Sequence, residues 1–145
     1  MLPKLETILE YKHPDVIKRY HQDYPQNKLS GEQALKLLIQ YLWLSRKHEL
    51  DKIQYPNRKD LQFECTMQPE MLEADDMWHT FLLFTEDYAN FCHQYFGGFM
   101  HHVPNVVEEI SSEKNFETNC ADYLSYIYDQ LGEETLKMWF APCLV

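Results

Sequence analysis

Glycine and proline are scarce in this sequence, 4 and 7 among 145 residues. An all-β fold depends on many tight turns, which draw on these two residues, so the scarcity favours helices. Long apolar runs are missing as well. The longest uncharged apolar stretches are 37–45 and 77–85, each about half of the ~20 residues a membrane-spanning helix needs. Residues Met1-Leu2-Pro3-Lys4-Leu5-Glu6 lack the apolar run of a signal peptide. A cytoplasmic protein with no membrane partner is expected.

Positive charge is thin: 13 Lys and Arg stand against 23 Asp and Glu, a net charge of −10. The densest basic groups are pairs (Lys18 with Arg19, Arg46 with Lys47, Arg58 with Lys59). A phosphate backbone or an anionic membrane surface demands clustered bases, so neither is an expected partner. Cysteine pairs are missing too. Cys65, Cys92, Cys120 and Cys143 are widely spaced without any C-x-x-C motif, and they read as reduced, mostly buried thiols. Cys143 falls one place too late for a prenylation box. Neither a G-x-S-x-G elbow nor a Gly-rich phosphate loop occurs.

What the chain does have is apolar and aromatic. Hydrophobic residues make up 45 %, including 8 Phe, 10 Tyr and 3 Trp, too many for a disordered chain even at this net charge. Without repeats or low-complexity stretches, residues 1–145 read as one all-α domain, a bundle of five to six helices. Pro14 suits a first helical position, and Val16, Ile17, Tyr20 and Tyr24 keep helical spacing until Pro25. A short helix over residues 3–11 can precede it. Ser30 and Gln33 form a capping-box pattern before Leu35, Leu37, Leu38, Ile39, Tyr41, Leu42, Trp43 and Leu44, which nearly encircle a central helix. Charges at Arg46, Lys47 and Glu49 bring that helix out to solvent. Pro69 or the acids after it start the next helix. Thr85 reads as an N-cap, followed by an apolar stripe at Tyr88, Phe91, Cys92, Tyr95 and Phe96 that Gly97 and Gly98 end. A long helix starts near Ser111 or Ser112 with a core face of Phe116, Cys120, Tyr123, Leu124, Ile127 and Leu131, and Gly132 closes it. An amphipathic tail over 133–140 carries Trp139.

One segment, 75–102, gathers chemistry. Asp75 and His79 stand four apart, on one face of a helix, and Asp76 is three from His79. Cys92 follows on the next helix, and His101-His102 come after the double glycine. Imidazole, thiolate and carboxylate are transition-metal ligands, and an acid bonded to a ligating imidazole fixes its tautomer. The sequence thus suggests His79, His101, His102 and Cys92 as ligands of a divalent metal, zinc or iron. Asp75 and Asp76 would orient them, and Trp78 and Tyr88 would form a pocket wall. The plainer alternative makes Asp75–His79 a local ion pair, Cys92 core packing and His101-His102 a bonded corner. His13, His21 and His48 lie among charged residues near helix ends and read as solvated; His93 should face water.

The stretch 74–104 also resembles a known family. It reads Ala74-Asp75-Asp76-Met77-Trp78-His79, then Tyr88, Phe91-Cys92, Phe96-Gly97 and His101-His102-Val103-Pro104. This is similar to the signature of the glycine-rich domain-containing-protein-like family, without the glycine-rich region itself. The resemblance implies that Asp75, Trp78, His79, Tyr88, Cys92, Gly97, His101 and His102 carry the pattern, and it implies no activity. Two functions compete: a metal- or small-ligand-binding domain, and a non-enzymatic module whose His/Asp/Cys cluster is structural and whose partner is a protein. A metal-free enzyme with His79 as base and Asp75 as orienter ranks third, since no nucleophile accompanies it.

Overall fold

The computed structural model describes residues 2–103 and 113–140, the side chains of 113–119 excepted. Among these residues the chain forms seven α-helices and no strand. They are α1 (Leu5–Ile8), α2 (Pro14–Asp23), α3 (Gly31–Gln54), α4 (Leu72–Leu83), α5 (Thr85–Phe96), α6 (Glu113–Leu131) and α7 (Glu133–Phe140). Short 3-10 turns lie at Lys59–Leu61 and Pro69–Met71. The expected all-α class holds, with one helix more than the upper count. The chain divides into two compact units, Met1–Trp43 with Met67–His101, and Leu44–Thr66 with His102–Val145.

In the first unit, Pro14 is the first residue of α2 and His13 its cap. The His13 Nδ1 accepts the Val16 N–H at 3.1 Å, while Nε2 lies 2.7 Å from Asp87. The capping box of α3 forms as expected. Gln33 N–H donates to Ser30 Oγ at 3.1 Å, and Ser30 N–H donates to Gln33 Oε1 at 2.9 Å. Helix α2 crosses the start of α3 so closely that a Cβ on Gly31 would sit 2.7 Å from Ile17 Cγ2. There the Gly31 N–H, one of the donors a helix start leaves unpaired, reaches His21 Nε2 at 3.1 Å. Val16, Tyr20, Leu38, Leu42, Met77, Phe81 and Phe91 make the core. Acids of α4 hold the segment before α3: Asp76 accepts from Asn27 Nδ2 at 3.0 Å, and Glu73 from the Leu29 N–H at 2.7 Å.

Thr85 is not an N-cap. Phe84 alone joins α4 to α5 and takes the cap position, which leaves Thr85 helical with no side-chain cap bond. The stripe of α5 buries Tyr88, Phe91, Cys92 and Phe96. Tyr95 is half-buried against Tyr11 and Phe91.

In the second unit α3 continues to Gln54, and the expectation that it leaves the core at Arg46 fails for one residue in particular. His48, four residues after the buried Leu44, is 4 % exposed. Its ring stacks on Phe63 at 4.0 Å and its Nε2–H donates to the Leu61 carbonyl at 2.8 Å. Tyr123, Tyr126, Ile127, Trp139 and Phe140 are buried, whereas Cys120, Leu124 and Leu131 are only half-buried. Tyr126 donates to Asp51 at 2.6 Å and Tyr123 to the Thr66 carbonyl at 2.8 Å. Gly132 (φ 90°) separates α6 from α7. The expected helix start at Ser111 or Ser112, the Phe116 side chain, Pro104 and Cys143 lie outside the described residues.

Candidate metal centre

Helix α4 sorts its residues by phase. Ala74, Met77, Trp78 and Phe81 point into the core, which leaves Asp75 and His79 on the outer face, one turn apart. The Asp75 carboxylate lies 3.6 Å from His79 Nε2, with the side chains 25 % and 53 % exposed. That distance is an ion-pair contact rather than a well-formed hydrogen bond. Asp76, the other candidate partner for His79, is held by Asn27 instead.

The second part of the site depends on how the chain leaves α5. Gly97 (φ 71°) ends the helix in the left-handed conformation that a residue with a Cβ resists. The following residues are pinned by a buried hydrogen-bonded chain. Trp78 Nε1–H donates to the Tyr88 hydroxyl at 2.8 Å, and that hydroxyl donates to the Met100 carbonyl at 2.5 Å. Burial, and next the Cys92 thiol beside it, push the Tyr88 phenol far above its ordinary value of 10. It is therefore a neutral donor at any pH a cell reaches.

His102 is two residues past this anchor, about 7 Å of chain at most, so the short covalent link governs where it can lie. Within the first unit, Asp75 and His79 each offer one ligand atom on the outer face of α4. His102 is half-buried and His79 exposed.

The other expected site residues have different surroundings. His101 is exposed, with its ring against Phe99 at 4.7 Å. Cys92 is fully buried beside the Tyr88 hydroxyl. Trp78 and Tyr88 serve as a strut between α4, α5 and residue 100. His93 is exposed, as expected.

Three histidines read as solvated are bonded instead. His13 caps α2 and reaches Asp87, His21 accepts from Gly31, and His48 is buried. Charged neighbours in sequence misled that reading, because they occupy other phases of the helix. For His48 the spacing from Leu44 was the available signal, and for His13 its place directly before Pro14. His48 also meets Cys65, whose Sγ lies 3.6 Å from Nδ1. Burial pushes the Cys65 thiol up to about 12, so this pair is not an activated Cys–His nucleophile.

A family model described as UCP032817-like matches residues 4–121. The chain belongs to the UCP032817-like family. The match runs from the start of α1 into α6 and includes Asp75, His79 and His102. Its description names no reaction or ligand. It also gives no support to the glycine-rich domain-containing-protein-like name, which rested on residues 74–104 alone. No curated protein and no solved structure matches the chain. Among the described residues of this UCP032817-like chain, no helix is long and apolar enough to cross a membrane.

Proposed function

We propose that this UCP032817-like protein binds a divalent transition metal, zinc or iron, with Asp75 and His79 of α4 as ligands. The observation that carries the reading is the approach of the Asp75 carboxylate to His79 Nε2, 3.6 Å apart on the outer face of the helix. Metal–ligand lengths of about 2.0–2.2 Å set neighbouring ligands about 3.3 Å apart. Asp75 and His79, at 3.6 Å, are near that spacing. Imidazole and carboxylate suit zinc and non-haem iron alike. Asp75 then acts as a ligand rather than an orienting group, while His101 and Cys92 stand outside the ligand set. These two ligands leave coordination positions for water or a small ligand. Cys65, Cys92 and Cys120, none of them in a disulfide among the described residues, favour a reducing, cytoplasmic setting.

Elemental analysis of protein purified without an affinity tag tests the proposal. About one zinc or iron per chain is expected, falling at least tenfold in His79→Ala, since one lost ligand removes far more than 1.4 kcal/mol of binding. Sub-stoichiometric metal that His79→Ala leaves unchanged would overturn it. A second reading, a non-enzymatic interaction module, draws on the exposed Leu72 and Leu83 (62 % and 58 %) at the two ends of α4. Under that reading Leu72→Ser and Leu83→Ser abolish partner capture at physiological salt while metal content is unaffected.

A further inference from the structure

The first unit also holds a cavity of about 470 Å³ between the α1–α2 connection, α2 and α3. Its floor is apolar. Leu35 and Ile39, one turn apart on α3, are 5 % and 1 % exposed, and Ile17 of α2 flanks them. Its rim is basic, formed by the exposed Lys12, Lys18 and Lys36 with Glu32 as the acid in the lining. This inverts the balance of a chain with 23 acids and 13 bases. None of the three lysines takes part in an ion pair among the described residues.

We propose that this cavity binds a small amphiphile, an apolar chain carrying one carboxylate. The size falls within the range of small-molecule sites, which are largely apolar with a few polar groups that fix orientation. Leu35, Ile39 and Ile17 would take the chain out of water, while the three ammonium groups would hold the head. Tyr11 stands in the same lining. Burial, with Asp87 second, pushes its phenol up to about 12, so it adds a neutral O–H donor rather than a repelling phenolate.

The test is a titration of the full chain with decanoate, decanol and decyltrimethylammonium, read from NMR shifts of the Ile17, Leu35 and Ile39 methyls. Decanoate should saturate these signals and bind about tenfold more tightly than decanol. The double variant Lys12→Glu/Lys36→Glu should weaken decanoate about tenfold and leave decanol unchanged, because exposed charges act on the carboxylate head and not on the apolar chain. Failure of decanoate to saturate these methyls, equal affinity for decanol, or indifference to the charge reversal would overturn the proposal. His79→Ala should not alter decanoate binding, which separates this cavity from the metal centre.

Discussion

At the scale of single residues, histidines do most to organise the molecule, each through a different partner. His48 is the most constrained. Burial lowers its pKa from the ordinary 6.5, and the Leu61 carbonyl opposes this only in part. A ring that titrates lower in the folded state than in the unfolded one resists charging. Its stabilising contribution is thus complete above about pH 6.5 and is lost as pH falls through the lowered folded value. Urea denaturation followed by the fluorescence of the buried Trp139 should therefore show stability falling between pH 7.5 and pH 5. His48→Gln should be less stable at the higher pH by about 1–3 kcal/mol, the penalty for disturbing a buried hydrogen bond and ring stack, and should show a shallower pH dependence. Identical slopes in the two proteins would remove His48 from this account.

At the scale of elements, the meeting of α2 and α3 is the sharpest constraint. Gly31 opens α3, where alanine would ordinarily favour the helix by about 1 kcal/mol. Here a Cβ would lie 2.7 Å from Ile17 Cγ2 and 3.2 Å from His21 Nε2. Gly31→Ala is expected to destabilise the protein by about 1–3 kcal/mol, the usual range for overpacking, and a thermal midpoint at or above wild type would show that α2 simply yields. Helices with strong periodicity and local start or stop signals were legible in the sequence. The Ser30–Gln33 box, the α5 stripe with its Gly97 stop, and Trp139 in α7 all took their expected form. Legibility ended where tertiary contact decides. Thr85 looked like a cap because nothing local shows that Phe84 alone bridges two helices. For the site, the four-residue spacing placed Asp75 beside His79, but nothing local showed that the Tyr88 phenol would bond both the Trp78 indole and the carbonyl of Met100, twelve residues on.

At the scale of the whole molecule, charge and core pull in different directions. Several ion pairs are exposed at both partners, including Arg19–Asp23, Arg58–Asp60 and Lys137–Glu133, and exposed pairs add little stability. What remains is a net charge of −10 around a core rich in aromatic rings. Mutual repulsion of the surplus acids opposes compaction, and dissolved ions screen it. Calorimetry should therefore record a thermal midpoint that rises by about 2–4 °C as sodium chloride goes from roughly 0.02 to 0.5 M. A falling midpoint would mean that the ion pairs matter more than their exposure suggests.

The Trp78–Tyr88–Met100 chain has a spectroscopic consequence. A phenolic proton locked between an indole and a carbonyl, out of reach of solvent, should exchange slowly enough to give its own downfield resonance in a proton NMR spectrum. Because the indole on that hydroxyl belongs to Trp78, directly before His79 in α4, the chemical shift should move when zinc is added, giving a readout of the neighbouring imidazole from inside the core.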